Sequence, residues 1–169
     1  MKTRIIMVMS LDGVIAKNSN HNPVEWTSKE DQALYKKITT EAGVMIFGQS
    51  TYEAIGRPLP GRLNIVLTRD ETHQDQPGIL EYKRGDLKTI LQDLEHRGFE
   101  FVIIGGGTFV NSKFLEAGLV DEIQITIEPK IFGSGLRFVD QLNLDLALEL
   151  ISCEKLNDHT INVLYRIKK

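Results

Sequence analysis

Four groups of residues are of types, and at places, that suit chemistry. The first is Gly105-Gly106-Gly107, which follows the apolar run Phe101 to Ile104 and directly precedes Thr108. A glycine turn lets a ligand approach the backbone, and the free N–H groups and dipole of a helix start attract phosphate. The run lacks the spacing of the G-x-G-x-x-G fingerprint, so a phosphate cradle and a plain tight turn both fit it. The second is Asp31. In a helix beginning at Thr27 or Ser28, Asp31 shares a face with Leu34, Tyr35 and Ile38, by the three-and-four spacing of helical neighbours. A carboxylate on that apolar face is partly desolvated, which raises its pKa and suits it to hold or relay a proton. Capping the first turn of the helix is the other role open to it, although Thr27 with Glu30 already forms a T-x-x-E capping box. The third group is Arg57, Arg62 and Arg69, spread through the loops of Gly48 to Arg69. Arginine forks pair with carboxylates and phosphates, yet any one of them alone reads as a solvated charge. The fourth is Thr126, in mid-strand, where threonine is also simply a good strand former. Trp26 and Tyr35 read by type as core residues.

The elements that must position these groups follow from periodicity. Ile5 to Met9, Val44 to Phe47, Asn64 to Leu67 and Phe101 to Ile104 are continuous apolar runs, as expected of strands buried on both faces. Helical patterns lie between them. Ser28 to Thr40 carries the face already described, and a short helix runs from Gly48 through Ala54. Asp86 to His96 places Leu87, Ile90, Leu91 and Leu94 together, with Asp86 as N-cap and Gly98 as stop; Thr108 to Ala117 ends at Gly118. Strands alternating with helices predict a mostly parallel twisted sheet with helices on both faces. Towards the end the pattern changes. Glu122 to Glu128 alternates as Ile123, Ile125, Ile127, and Leu148 to Leu156 and Ile161 to Ile167 flank the turn Asn157-Asp158, which predicts an antiparallel C-terminal hairpin. In open α/β sheets the ligand lies outside the carboxyl ends of the strands, where the glycine turn falls.

With 169 residues, the chain is expected to be one domain over 1–169. A net charge of −3 offers no basic field for nucleic acid or an anionic membrane. The apolar start, Met1 to Ser10, is too short to span a bilayer and runs straight into Asp12-Gly13. Cys153 is the sole cysteine, which excludes an intrachain disulfide and points to the cytoplasm. The histidines (21, 73, 96 and 159) are too scattered for metal-ligand spacing, so no metal is expected. Monomer and homodimer both remain open, since an exposed terminal strand edge can pair with a second copy.

Three stretches resemble the dihydrofolate reductase superfamily, and the likeness runs along nearly the whole chain. They are TYEAIGRPLPGRLNIVLTR (residues 51–69), VIIGGGTFV (102–110) and EWTSKED (25–31). The resemblance implies a dihydrofolate-reductase-like fold and NADPH as cofactor. It also implies roles. Asp31 would bind the 2-amino and N3 edge of a pterin and support protonation of its imine nitrogen. Thr126 would support the same edge, Trp26 would sit over the site near a mobile loop, and Tyr35 would pack on the substrate ring. Ile6 and Ile104 would offer backbone carbonyls, and Arg62 would hold the glutamate carboxylate of folate. Gly48, Thr51, Thr68, Arg69, Gly105, Gly106, Gly107 and Thr108 would line NADPH, with Arg69 placed for a 2′-phosphate. The Asn- and Ser-rich loop 17–24 would close over the site.

A second likeness lies within the same superfamily. MSLDGVIA (residues 9–16) and FLEAGLVDEIQITIEPKIFGSGLRF (114–138) resemble the pyrimidine reductase domain of riboflavin biosynthesis, which has the same fold and cofactor and reduces the ribose of a pyrimidine ribosylamino phosphate. Val14 departs from that pattern, which usually has a basic residue there. Gln32, Gln49 and Val110 depart from the dihydrofolate pattern. The expected activity is reduction of 7,8-dihydrofolate to tetrahydrofolate. The alternatives are the pyrimidine reductase reaction and, in another class, a nucleotide-binding module without catalysis.

Overall fold

A computed structural model describes residues 1–140 and 143–168. The chain forms strands β1 (Lys2–Ser10) and β2 (Val14–Ala16), helix α1 (Lys29–Ala42), β3 (Val44–Gly48), α2 (Gln49–Ile55), β4 (Leu63–Leu67) and β5 (Leu80–Lys83). Then come α3 (Leu87–His96), β6 (Phe101–Ile104), α4 (Thr108–Glu116), β7 (Glu122–Glu128), β8 (Leu136–Arg137), β9 (Leu148–Lys155) and β10 (Ile161–Ile167). The main sheet has eight strands in the order β5-β4-β3-β6-β1-β7-β10-β9. Neighbours from β5 to β7 run parallel; β10 is antiparallel to β7, and β9 to β10. The expected mostly parallel sheet and terminal hairpin are both present.

The continuous apolar runs feed two cores, one on each face of the sheet. Ile5, Val44, Ile46, Val102 and Ile104 pack with Ile90, Leu91 and Leu94 of α3 and with Val110, Phe114 and Leu115 of α4. Ile6, Met45, Phe47, Val66 and Ile103 pack on the opposite face with Tyr35 and Ile38 of α1 and Tyr52 of α2. Successive strand residues point to opposite faces, so burial on both sides requires apolar residues at every position. Phe114 is fully buried, and truncating such a side chain to alanine costs about 3–5 kcal/mol.

Local signals set the helix ends. Asp86 caps α3 by accepting from the Thr89 N–H at 2.9 Å. Gly43 closes α1 with φ 72°, a left-handed value that glycine adopts at little cost. The start of α1 departs from expectation. Its N-cap is Ser28, whose hydroxyl accepts from the Asp31 N–H at 3.2 Å, so the Thr27–Glu30 capping box does not form. Thr27 lies one residue too early because its own backbone N–H and that of Trp26 still bond the Pro23 carbonyl.

Strand β7 lies inside the sheet. Its alternation does not mark a solvated face, because β7 is flanked by β1 and β10 and its polar row is buried. Glu122, Gln124, Thr126 and Glu128 are each at most 6% exposed. Strands β2, β5 and β8 carry no periodic signal in sequence. The pairing of β2 with β8 brings residues far apart in the chain together, Val14 opposite Arg137 and Ala16 opposite Leu136.

Candidate active site

A cavity of about 1230 Å³ opens along the carboxyl ends of β3, β4 and β6. Its walls are the Asp31–Tyr35 turn of α1, Ile6 of β1, the loop 16–24, Gly48 to Thr51, Leu67 to Arg69, and Gly105 with Gly107 and Thr108. Two ends differ in chemistry, one acidic and one built of glycine and free N–H groups.

Asp31 forms the acidic end. Its position is over-determined: Ser28 caps the helix beneath it, and the Ser28 N–H in turn donates to Glu128 Oε1 at 2.6 Å. Asp31 is only 8% exposed yet lines the cavity. Burial pushes its pKa up to about 6; a hydrogen bond from the Thr126 hydroxyl opposes that rise, and the nearby Glu128 carboxylate adds to it. Thr126 itself is 2% exposed and lies behind Asp31, accepting from Asn162 Nδ2 at 2.9 Å. Glu128 Oε2 accepts from the Thr160 hydroxyl at 2.9 Å. The Tyr35 side chain stands beside Asp31 on the cavity wall, its hydroxyl 3.9 Å from Met45 Sδ, and burial pushes that hydroxyl's pKa well up.

At the other end, β6 runs into Gly105-Gly106-Gly107 and α4. Gly107 is the N-cap of α4 and supplies no side-chain acceptor, so the first N–H groups of the helix stay available to a ligand. Gly105 and Gly106 are packed too tightly for side chains. A Cβ at Gly105 would lie 2.8 Å from Met45 Cε, and one at Gly106 would lie 2.9 Å from Met7 Sδ, where φ is also +82°. One at Gly107 would lie 3.2 Å from Thr51 Oγ1, filling the space between the turn and α2. Gln49 accepts from the Thr68 hydroxyl, which ties α2 to the end of β4. Arg69, Lys83 and Arg84 give this wall a positive rim. An anionic dinucleotide matches this surface in charge and in backbone clearance.

The structure therefore gathers many of the sequence-predicted residues around one cavity: Asp31, Tyr35, Ile6, Gly48, Thr51, Thr68, Arg69, Gly105, Gly107 and Thr108. Others sit behind it. Thr126 backs Asp31, Gly106 is turned towards Met7, and the Ile104 side chain is in the core on the far face of the sheet. Trp26 is 8% exposed and does not itself line the cavity, whereas His21, which stacks on it at 6.0 Å, does. Phe132 closes that cluster edge-on to Trp26 at 5.1 Å. Arg62 stands apart. Its guanidinium donates to the Pro60 carbonyl and to the Thr39 hydroxyl, is 8% exposed, and does not line the cavity, whereas Arg57 does. Sequence reasoning missed Glu128, Asn162 and His21. The only trace of the first two was polar residues in strands.

Solved structures share this fold. Dihydrofolate reductase from Enterococcus faecalis, solved with NADP(H), aligns with a TM-score of 0.77 over 99% of this chain and 97% of that one, at 22% identity. Acinetobacter baumannii RibD aligns with a TM-score of 0.83 over 99% of this chain and 58% of that longer one, at 20% identity. In sequence, the type 3 dihydrofolate reductase of Salmonella typhimurium is 30% identical over 141 residues, 82% of each chain. The class is thus that of the dihydrofolate-reductase-like oxidoreductases. Within it, the RibD C-terminal domain family matches residues 2–161, and the chain belongs to that family. Among the described residues, no helix is long and apolar enough to cross a membrane.

Proposed function

We propose that the protein is an NADPH-dependent reductase of a C=N bond in a small pterin, with 7,8-dihydrofolate as the substrate to test first. One observation carries this reading: a buried carboxylate, Asp31, held by Thr126 at one end of a cavity whose other end suits a dinucleotide. When bound, NADPH supplies the hydride that goes to the carbon of that bond. The residues to hold it are Gly105 to Thr108 at the pyrophosphate, Gly48, Thr51 and Thr68 along the wall, and Arg69 at a 2′-phosphate. The chain's own groups handle the proton. With a pKa near 6, Asp31 exists in both protonation states close to neutral pH, so it can accept the N–H donors of the pterin edge as carboxylate and pass a proton towards the imine nitrogen as acid. Tyr35 and Ile6 flank the ring, and the loop bearing His21 forms part of the cavity wall.

A second reading is favoured by the placement of the arginines. Arg62 is engaged by Thr39 and Pro60, whereas Arg57 lines the cavity wall; an arginine there suits a phosphate as well as a carboxylate. That supports a pyrimidine ribosylamino phosphate, the substrate of the riboflavin-pathway reductase. The test is loss of NADPH absorbance with dihydrofolate and, in parallel, with that pyrimidine. Turnover of dihydrofolate that disappears in Asp31→Asn supports the first reading. Turnover of the pyrimidine alone replaces it with the second, and turnover of neither overturns both.

A further inference from the structure

We propose that Asn162 is a positioning residue: it holds the Thr126 hydroxyl so that its proton is donated to Asp31, in a one-way chain whose sense is set at Arg4. This rests on reading Asp31 as the carboxylate of the site. The links cross three strands. Arg4 NH1 donates to Gln124 Oε1 at 2.9 Å, Gln124 Nε2 donates to Asn162 Oδ1 at 2.8 Å, and Asn162 Nδ2 donates to Thr126 Oγ1 at 2.9 Å. The Thr126 hydroxyl then bonds Asp31. Gln124, Asn162 and Thr126 are 6%, 4% and 2% exposed, so water does not compete for their polar atoms.

Amides can turn either way, but a guanidinium only donates. Arg4 therefore requires the oxygen of Gln124 to face it, which turns the Gln124 amide nitrogen to Asn162 and the Asn162 amide nitrogen to Thr126. A threonine hydroxyl has one proton, and with its oxygen already accepting, that proton goes to Asp31. Arg4 is itself held by Glu122, through Nε at 2.9 Å and NH2 at 2.6 Å. The other groups facing Asp31 are Glu128 from β7 and Tyr35 from its own helix.

The test reads the titration of Asp31 directly, by the carbon chemical shift of its carboxyl group in the free protein. No substrate or turnover is needed, so failure of the proposed reaction leaves the test intact. Gln124→Glu is the first variant: an acceptor-only side chain satisfies Arg4, forces Asn162 to reverse, and draws the Thr126 proton away from Asp31. The Asp31 titration moves upward by about half a unit or more, the size expected on losing one donor to a carboxylate. Asn162→Leu moves it in the same direction, and Thr126→Ser, which keeps the hydroxyl, leaves it in place. Repeating Gln124→Glu and Asn162→Leu in a Thr126→Val background separates the chain from charge or packing, because an effect routed through the hydroxyl vanishes there. Titrations that overlay the parent, or shifts that persist unchanged without the hydroxyl, overturn the proposal. If Asn162→Leu does not fold, the Gln124→Glu pair decides alone.

Discussion

The backbone N–H of Ser28 donates to the carboxylate of Glu128 at 2.6 Å, tying the first residue before α1 to the last residue of β7. Three positions further on, Asp31 enters the cavity. The contact fixes where that carboxylate stands, and it also brings a second buried carboxylate near it. The same neighbour thus helps to place Asp31 and adds to the rise in proton affinity that burial causes.

Glu128→Gln tests this coupling. The amide oxygen can still accept from Ser28, but the negative charge that raises Asp31 is gone. The Asp31 pKa falls, by about half a unit for a partly screened neighbour. If protonated Asp31 supports turnover, kcat/KM declines as pH rises through about 6, and in Glu128→Gln that decline moves to lower pH. A pH profile of both proteins checks it; an unmoved limb means that Glu128 does not act on Asp31 by charge.

Asp31 also makes a stability prediction. Its folded pKa of about 6 lies above the ordinary carboxylate value of 3.8, so the folded chain binds the proton more tightly than the unfolded one. Stability therefore falls as pH rises from about 4 to about 6 and is flat beyond. Near pH 8 the buried charge costs at most about 3 kcal/mol, two units at 1.36 kcal/mol each. Asp31→Asn removes that cost while keeping an oxygen for Thr126. The variant should melt higher than the parent near pH 8, and the gap should close near pH 4, as thermal unfolding at both pH values will show.

Gly107→Ala probes the cofactor end. The residue's φ of −68° suits alanine, and the added methyl would lie 3.2 Å from Thr51 Oγ1, inside the space proposed for the pyrophosphate. KM for NADPH should rise about tenfold or more, equivalent to about 1.4 kcal/mol, with little change in melting temperature. Titration of NADPH with parallel thermal unfolding separates loss of binding from loss of fold.

The two arginines should separate cleanly. Arg57→Ala should weaken binding of a substrate with an acidic tail by about 1.5–3 kcal/mol, read as KM, and leave stability almost unchanged. Arg62→Ala should instead lower stability by about 1–3 kcal/mol, since it strips buried bonds from the Pro60 carbonyl and Thr39. If Arg62→Ala alters KM alone, the guanidinium leaves Thr39 to meet substrate.

Much of this protein was legible in its residues because the signals are local. Continuous apolar runs at Val44 to Phe47 and Phe101 to Ile104 require burial on both faces, and that requires helices on both sides of a sheet. Asp86 marks the start of α3 by chemistry confined to a few neighbours. Asp31 could be placed on an apolar helical face, and the glycine turn before α4, because each depends only on spacing within one element. Tertiary structure alone decided what lies opposite them. Glu122, Gln124, Thr126, Glu128 and Asn162 look like the solvated half of alternating strands, and only the insertion of β7 between β1 and β10 buries that row. Arg57 and Arg62 are five residues apart and alike in type, yet one lines the cavity and the other is held beneath it by Thr39. A side chain's chemistry is fixed by its atoms, whereas its proton affinity and its partners are fixed by which distant strands the fold places beside it.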